Sequence, residues 1–189
     1  MTALVEWILS AALTFAPIAT RPQFKGYEET QEETLARYRS IAEDIAAAAS
    51  EGDGKGRSPK ERAALLLAVA IGESGLSADV DKSPCYREGG WKTRCDSGSS
   101  YTLWQIKQAL IDGKLVYGRD LQGHAKRRDA ARGALRKIEG SLSMCGKLPV
   151  EDRLSGYGVG RCVAGVKSIR ARHALFLKVA SHAVPKEDK

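Results

Sequence analysis

The chain lacks the features that identify several common classes of protein. Its 189 residues contain no internal repeat and no alternation of apolar and polar residues long enough to predict a β-strand. None of its four cysteines stands in a C-x-x-C pair, and its three histidines lie far apart with no ligand spacing, so a metal site is not predicted. A content of 43% hydrophobic and 28% charged residues is typical of a soluble globular protein.

The first twenty residues lack the basic start of a secretory signal. They are apolar and helix-prone, but Glu6 interrupts them. The uninterrupted part, from Trp7 to Ala16, is short for a membrane span. Three interpretations stay open: an atypical export signal, a membrane anchor that brings residues 1–20 into contact with lipid, or a helix that packs on the domain or on a partner.

The chain is strongly basic, with a formal net charge of +7 and a pI of about 9.3. This charge fits an anionic partner such as nucleic acid, an acidic membrane surface, or a bacterial wall with its peptide carboxylates and attached polyanions. A solvated basic surface without a specific partner fits equally well. The basic residues from Lys126 to Arg128, with Arg132, Arg136 and Lys137, predict either such a solvated helix face or a surface that holds the protein against an anionic wall.

The cysteines fall into two local pairs, Cys85 with Cys95 and Cys145 with Cys162. Both pairs lie in Gly-rich or polar loop sequence that a bridge would constrain, so we predict two short-range disulfides and an oxidising compartment or the outside of the cell. Four unpaired thiols, or another of the three formal pairings, remain the alternatives.

Helical periodicity dominates the rest of the chain. Apolar residues recur at spacings of three and four from Leu35 to Ala49, which predicts a helix over residues 28–50. Ser58, Pro59 and Glu61 form a capping box with proline at the first helical position. The helix that follows is apolar on all sides to Ile71, so it is expected to be buried centrally.

Further helices are predicted over residues 101–112, 120–143 and 163–183. The expected fold is therefore mostly α, a single helical domain around a central buried helix. We divide the chain into an apolar N-terminal segment (1–22), an amphipathic helix with a Gly-rich linker (23–57), a main helical domain (58–183) and a polar tail (184–189).

Glu73 stands where the apolar helix ends, next to Gly72 and Gly75. A carboxylate there faces a low dielectric and the negative end of the helix dipole, and both favour its protonated form. A general acid that works near neutral pH requires that form. The alternative is an ordinary glutamate that is exposed as the helix emerges.

Three short motifs follow one another in this region: Ala70–Leu76 (AIGESGL), Thr102–Ile106 (TLWQI) and Gly156–Gly160 (GYGVG). They resemble the soluble lytic transglycosylase and goose-type lysozyme family, which has Glu-Ser at the end of a buried helix, then a G-L-M-Q-like and an A-Y-N-x-G-like motif. The similarity covers roughly residues 58–182. It implies a lysozyme-like α+β or mostly α fold. It also implies cleavage of the β-1,4 bond between N-acetylmuramic acid (MurNAc) and N-acetylglucosamine (GlcNAc) in peptidoglycan, without metal or organic cofactor.

The resemblance also implies roles for single residues. Glu73 matches the catalytic acid, Ser74 a serine that supports it and the substrate's N-acetyl group, and Tyr157 a tyrosine that hydrogen-bonds near the acid. The second motif, whose glutamine and backbone line the glycan groove, is matched by Leu103, Trp104 and Gln105.

Two positions depart from the family pattern. Thr102 stands where glycine is usual, and Gly158 where asparagine is usual. The second departure removes a polar contact in the groove, which puts the affinity for substrate and the register of the sugars in doubt.

Hydrolysis would need a second carboxylate as base, and the motifs do not identify it directly. Goose-type lysozymes carry an aspartate seven positions before the leucine of the second motif, and Asp96 stands seven positions before Leu103. We therefore predict Asp96 as a catalytic base for hydrolysis, with Asp79 and Asp81 as weaker candidates, or else as one polar loop residue among several. Without such a base, a transglycosylase uses a single glutamate as acid and then as base.

Aromatic side chains that stack on sugars are the remaining candidates for the groove. The candidates are Trp91, Tyr101 and Trp104. We predict that Tyr101 lines the groove and that Trp104 packs in the core.

Three functions are compared. The first is a peptidoglycan-cleaving enzyme, periplasmic, extracellular, or part of a phage particle that lyses or enters its host. The second is an inactive lysozyme-like wall-binding or structural protein, which Gly158 favours. The third, a basic nucleic-acid binder, leaves the three ordered motifs unexplained, so no specific nucleic acid is predicted.

Overall fold

The computed structural model describes residues 2–21, 23–51, 56–82 and 100–184, and these residues are mostly helical. The helices are α1 (Ala3–Phe15), α2 (Gln31–Glu51), α3 (Pro59–Ser74), α4 (Ala78–Lys82), α5 (Arg127–Met144), α6 (Ser155–Gly158) and α7 (Lys167–Ala180). One antiparallel hairpin is formed by β1 (Gln108–Ile111) and β2 (Lys114–Tyr117). The predicted mostly α class is confirmed.

Helix α3 is the centre of the fold. It begins at the predicted capping box, in which the Ser58 hydroxyl accepts from the backbone N–H of Glu61 and the Glu61 carboxylate accepts from Ser58. Every residue from Ala63 to Ala70 is buried, because α3 packs against α1, α2, α5 and α7. The helix ends at Gly75, whose φ of 63° is the left-handed conformation that glycine adopts at low cost.

The apolar N-terminal segment is a helix that packs on the rest of the domain. Trp7 and Ile8 of α1 are buried, and α1 lies against α2 and α3. The indole N–H of Trp7 donates to the carbonyl of His182, 2.9 Å away, after α7. Residues Ala3–Thr20 are also long and apolar enough to cross a membrane, a property that signal sequences and core helices of soluble proteins share.

The predicted helix over residues 101–112 is wrong. Residues 102–105 form a turn, closed by two backbone hydrogen bonds between Tyr101 and Ile106, and β1 follows. In β1 every second residue is buried, and Ala109 lies so close to Gly133 of α5 that a Cβ atom on this glycine would be 2.5 Å from it. The apolar residues of this segment therefore belong to a turn and a strand that pack on α5.

Two other predicted helices begin too early. Helix α5 starts at Arg127, after short 3₁₀ turns separated by Gly123, which has a φ of +87°. Helix α7 starts at Lys167, after Gly165 with a φ of +80°. In both cases a left-handed glycine interrupts a sequence whose apolar spacing alone is helical.

The basic face of α5 is only partly solvated, because Arg127 is buried. Its guanidinium makes two hydrogen bonds to the carboxylate of Asp81, at 2.7 and 2.8 Å, and one of 3.0 Å to Asp44. Arg37 and Glu29 extend this network with a contact of 2.9 Å between them. The network joins α2, α4 and α5, so this part of the basic run holds the helices together.

The predicted disulfide between Cys145 and Cys162 is confirmed, with the two Sγ atoms 2.06 Å apart. It ties the end of α5 to the loop after α6, so the third motif lies inside the closed loop. Cys85 and Cys95, the other predicted pair, lie outside the described residues.

Candidate active-site cleft

The three motifs meet at one cleft of about 670 Å³. Glu73 comes from the end of α3, Gln105 from the turn before β1, and residues 156–160 from α6 and the loop after it. The lining residues are Glu73, Ser100, Gln105, Lys107, Lys137, Gly156, Tyr157, Gly158, Val159 and Gly160. Segments that are distant in sequence therefore converge on one cleft.

Glu73 lies in the last turn of α3, and its side chain is 14% exposed. Its Oε1 is 2.9 Å from the Nη2 of Arg172, a residue of α7 that the sequence analysis did not single out. The opposite charge favours the ionised carboxylate, which opposes the effects of burial and the helix end. The free protein thus holds the predicted acid in an ion pair.

Because Gly72 has no side chain, the side chain of Arg172 can pass over it and reach Glu73. A Cβ atom on this glycine would lie 3.1 Å from the Cγ of Arg172, so the arginine stem packs directly on the helix backbone. The Nε of Arg172 is buried and has no hydrogen-bond partner in the described structure. Only the outer end of the Arg172 guanidinium, at Nη2, contacts a charged group, the carboxylate of Glu73.

Tyr157 lies beside the same carboxylate. Burial raises the pKa of its hydroxyl well above the usual range, and the negative charge of Glu73 raises it further. The hydroxyl is therefore a permanent donor at neutral pH, and it donates to the backbone carbonyl of Trp104. This bond connects the second and third motifs at the cleft.

Three residues predicted to bind substrate instead form the frame of the site. Leu103 and Trp104 are 1% and 0% exposed, and the indole N–H of Trp104 donates to the carbonyl of Leu66 in α3, 3.0 Å away. Ser74 is 4% exposed, and its hydroxyl donates to the carbonyl of Ala70 at 2.9 Å. Trp104 is a core residue, as favoured above, and none of these three side chains lines the cleft.

The turn that carries Gln105 has a strained backbone. Thr102 has a φ of +67° and Gln105 a φ of +50°, although left-handed backbone is unusual for a β-branched residue. The Gln105 side chain donates to the carbonyl of Thr102, 3.0 Å away, which fixes its position at the cleft. A glycine at position 102 would adopt this conformation without strain. Tyr101, predicted for the groove, is half-buried and is not among the residues that line the cleft.

Gly158 has no room for a side chain. A Cβ atom at this position would lie 2.5 Å from the Cδ1 of Ile169 and 3.4 Å from an Nη of Arg172. Ile169 is fully buried in α7. Helix α7 therefore occupies the space that an asparagine side chain would need.

Gly158→Asn is expected to lower the free energy of unfolding by about 1–3 kcal/mol, because the new side chain overpacks against Ile169. Urea unfolding monitored by circular dichroism measures this change. Gly140→Ala is the matched control: this helical glycine has no atom within 4 Å of its would-be Cβ, so alanine is expected to stabilise α5 by about 0.5–1 kcal/mol. Equal unfolding midpoints for Gly158→Asn and the wild type would contradict the steric account.

Lys107 and Lys137 were not predicted as site residues. Both line the cleft, on the side formed by the hairpin and α5. Lys137 was noted only as part of a basic helix face. Burial lowers its pKa, and the positive charge of Lys107 lowers it further. No signal in the sequence shows that the two lysines line one cleft, since 30 positions separate them.

The other predicted acids do not complete the cleft within the described residues. Asp79 and Asp81 are buried on α4, where Asp79 accepts from the hydroxyl of Ser77 at 2.6 Å, and neither lines the cleft. Asp96, the predicted base, and Trp91 lie outside the described residues. In the part of the chain that the structure describes, no three His, Cys, Asp or Glu residues are placed to hold a metal ion.

Among the described residues, the cleft combines one carboxylate, a tyrosine and a glutamine, two ammonium groups and a glycine-rich wall. Such a polar, open groove suits a hydrated polymer with many hydroxyl and amide groups better than an apolar ligand.

The chain was compared with protein-family models, curated proteins and solved structures, and it matches none of them.

Proposed function

We propose that the protein is a peptidoglycan-cleaving glycosidase of the lysozyme-like superfamily, acting on the MurNAc–GlcNAc bond with Glu73 as general acid. The observation that carries this proposal is the convergence of the three ordered motifs on one cleft, with Glu73 at the end of a buried helix. The mostly helical fold agrees with a lysozyme-like domain. The basic charge of the chain suits an anionic cell wall.

In the proposed reaction, protonated Glu73 gives its proton to the glycosidic oxygen as the bond to the muramic C1 breaks. In a lytic transglycosylase, the ionised Glu73 then accepts the proton of the substrate's own 6-hydroxyl as that oxygen attacks C1. In a muramidase, a second carboxylate accepts the proton of the water that attacks C1, and Glu73 regains its proton from solvent. Asp96 remains the candidate for that second carboxylate.

The ion pair with Arg172 has a place in this scheme. Glu73 can act as an acid only after the pair opens, because the guanidinium 2.9 Å away favours the ionised form. A glycan that enters the cleft would separate the two groups or exclude water from them. Catalytic contacts often form only in the complex, so the pair in the free protein does not disqualify Glu73.

The second candidate function is a lysozyme-like wall-binding protein without turnover. Two observations favour it: Arg172 neutralises the predicted acid, and Gly158 cannot be exchanged for the family's asparagine without a clash. In this case the cleft would bind glycan, and Glu73 would serve only to hold α7 against α3.

Mass spectrometry of the soluble products released from purified peptidoglycan distinguishes these functions. We expect fragments from the wild type and none from Glu73→Gln. Ends of 1,6-anhydromuramic acid would identify a transglycosylase, and reducing muramic acid would identify hydrolysis and make Asp96→Asn the next variant. If the protein with its disulfide intact bound several wall types but released no fragments from them, the wall-binding function without turnover would replace the enzymatic one.

The proposed location follows from the substrate. Peptidoglycan and the Cys145–Cys162 disulfide both fit the periplasm, the outside of the cell, or a phage particle. The proposed partners are glycan strands and the anionic wall surface.

A further inference from the structure

One face of the β1–β2 hairpin exposes apolar side chains to solvent. In the register of the two strands Leu110 lies opposite Leu115, and Gln108 lies opposite Tyr117. Opposite residues and residues two apart share a face of a sheet, so these four side chains lie on one side. Leu110, Leu115 and Tyr117, here called the hairpin face, are each more than half exposed. The other side of the hairpin packs on α5, so the fold itself does not require apolar residues on the hairpin face.

Cationic side chains lie at the border of the hairpin face. The guanidinium of Arg119 is 5.6 Å from the centroid of the Tyr117 ring. Arg136 of α5 donates from Nη1 to the backbone carbonyl of Leu110, 2.9 Å away. Lys114 is exposed at the start of β2, and within the described residues it forms no ion pair. An apolar centre is therefore surrounded by positive charge.

Two acidic side chains lie near this border, and both are paired. Asp112, in the turn of the hairpin, is 2.5 Å from Nη2 of Arg132 and 4.0 Å from Nη2 of Arg136. Asp120 is 3.6 Å from Arg119, and both of these side chains are more than half exposed. Exposed ion pairs contribute little to stability, so the cations at the border can exchange these partners for an anionic surface.

We infer that the hairpin face docks on the surface of an anionic phospholipid bilayer. The leucines match the boundary between headgroups and acyl chains, and the cations match the lipid phosphates. Tyrosine is enriched at that depth, because its ring is apolar and its hydroxyl is polar. A hydrated wall polymer would match the cations but not the leucines. The net charge of +7 attracts the whole chain to the same surface.

Docking in this way would bring the cleft close to the bilayer. Lys137, which lines the cleft, donates from Nζ to the backbone carbonyl of Gln108, 3.3 Å away. Gln108 in turn lies opposite Tyr117 of the hairpin face. The docking itself does not depend on the proposed function. If both hold, the cleft would meet the glycan strands that lie nearest the membrane.

Co-sedimentation of the full chain with lipid vesicles tests the docking. One set of vesicles contains equal parts of phosphatidylcholine and phosphatidylglycerol, and the other contains phosphatidylcholine alone. Leu110→Thr combined with Leu115→Thr removes the apolar centre and introduces residues that suit a strand. Leu177→Gln is the matched control, because Leu177 is also more than half exposed but lies on α7. Lys114→Gln and Lys178→Gln form a second pair, of which only the first lies at the hairpin face.

We expect the wild type to bind the anionic vesicles roughly tenfold more tightly than the neutral ones, and more weakly as salt is raised. The double leucine variant should bind the anionic vesicles roughly tenfold more weakly, because its hairpin face no longer buries apolar surface. Lys114→Gln should weaken binding roughly fivefold, the effect of one cation close to an anionic surface. Leu177→Gln and Lys178→Gln should bind as the wild type does, and circular dichroism should show that all variants are folded.

Several results would overturn the inference. Absence of vesicle binding by the wild type, or equal binding to neutral and anionic vesicles, would contradict an anionic bilayer as the partner. Vesicle binding that the double leucine variant retains in full would place the contact elsewhere, for example on α1. A wild type that self-associates in light scattering, with a monomeric double variant, would assign the hairpin face to a second copy of the chain. None of these results concerns cleavage of peptidoglycan, so each would leave the proposed function intact.

Discussion

Replacing Trp7 with alanine is expected to lower the free energy of unfolding by about 3–5 kcal/mol. The indole is 5% exposed, its N–H donates to the carbonyl of His182, and the Nζ of Lys60 in α3 lies 4.9 Å above its ring centroid. Truncation would leave a cavity and remove a hydrogen bond that joins the two ends of the described chain. Chemical denaturation monitored by circular dichroism measures the loss.

Removal of residues 2–16 is expected to have a larger effect. Besides Trp7, α1 buries Val5, Ile8 and Leu9. Each large apolar side chain contributes about 1.5–3 kcal/mol, and a whole domain is stable by only about 5–15 kcal/mol. The shortened chain should therefore lose its cooperative unfolding transition.

Glu6→Ala is the matched control for both changes, because Glu6 is exposed on the same helix and its loss should cost no more than about 0.5 kcal/mol. If Trp7→Ala and Glu6→Ala unfolded at the same denaturant concentration, α1 would not be part of the stable core. A shortened chain that still unfolded cooperatively would favour the interpretation of residues 1–20 as an export signal.

The elements that the sequence predicts well are those with local signals. The capping box at Ser58 and the continuous apolar residues after it define α3, and the short spacing of Cys145 and Cys162 identifies their disulfide. The helix wrongly predicted over residues 101–112 fails for a tertiary reason. Its apolar residues pack around Gly133 of α5. Its turn contains residues with positive φ, which helix propensity does not predict.

In the candidate site, too, the sequence predicts the residues that lie in local motifs and does not predict those that tertiary packing places there. Motif order predicts that Glu73, Gln105 and Tyr157 belong to one site, and all three line the cleft. Arg172 and Lys137 come from helices whose packing sets their positions, and in sequence they resemble any other exposed cation. The ion pair between Glu73 and Arg172 is thus a contact that only the packing of α7 on α3 reveals.

Glu73→Gln is expected to lower kcat on peptidoglycan by roughly 10²–10⁴-fold, because glutamine cannot transfer a proton. Glutamine retains the shape of the side chain, so binding of uncleaved glycan fragments should change little. Reduced turnover with retained binding, measured by product release and by titration, separates loss of the acid from loss of the cleft.

The matching variant is Arg172→Met, which keeps an apolar stem over Gly72 and removes the charge beside Glu73. Without the guanidinium the protonated carboxyl is more populated at a given pH, so the fall of kcat/KM on the alkaline side should move to higher pH. Lys178→Met removes an exposed cation from the same helix, and its pH profile should equal that of the wild type.

The two outcomes for Arg172→Met have different meanings. A shifted pH profile would show that the ion pair restrains an acid that works, and that substrate must open it in each turnover. An inactive wild type in which Arg172→Met changes only the unfolding midpoint would assign the pair to the packing of α7 on α3. Because Glu73 and Arg172 are each largely buried, at 14% and 16% exposure, Arg172→Met also removes a positive charge from beside a largely buried carboxylate. The same substitution should then destabilise the fold most at high pH, where that carboxylate is charged, and least at low pH, where it is neutral.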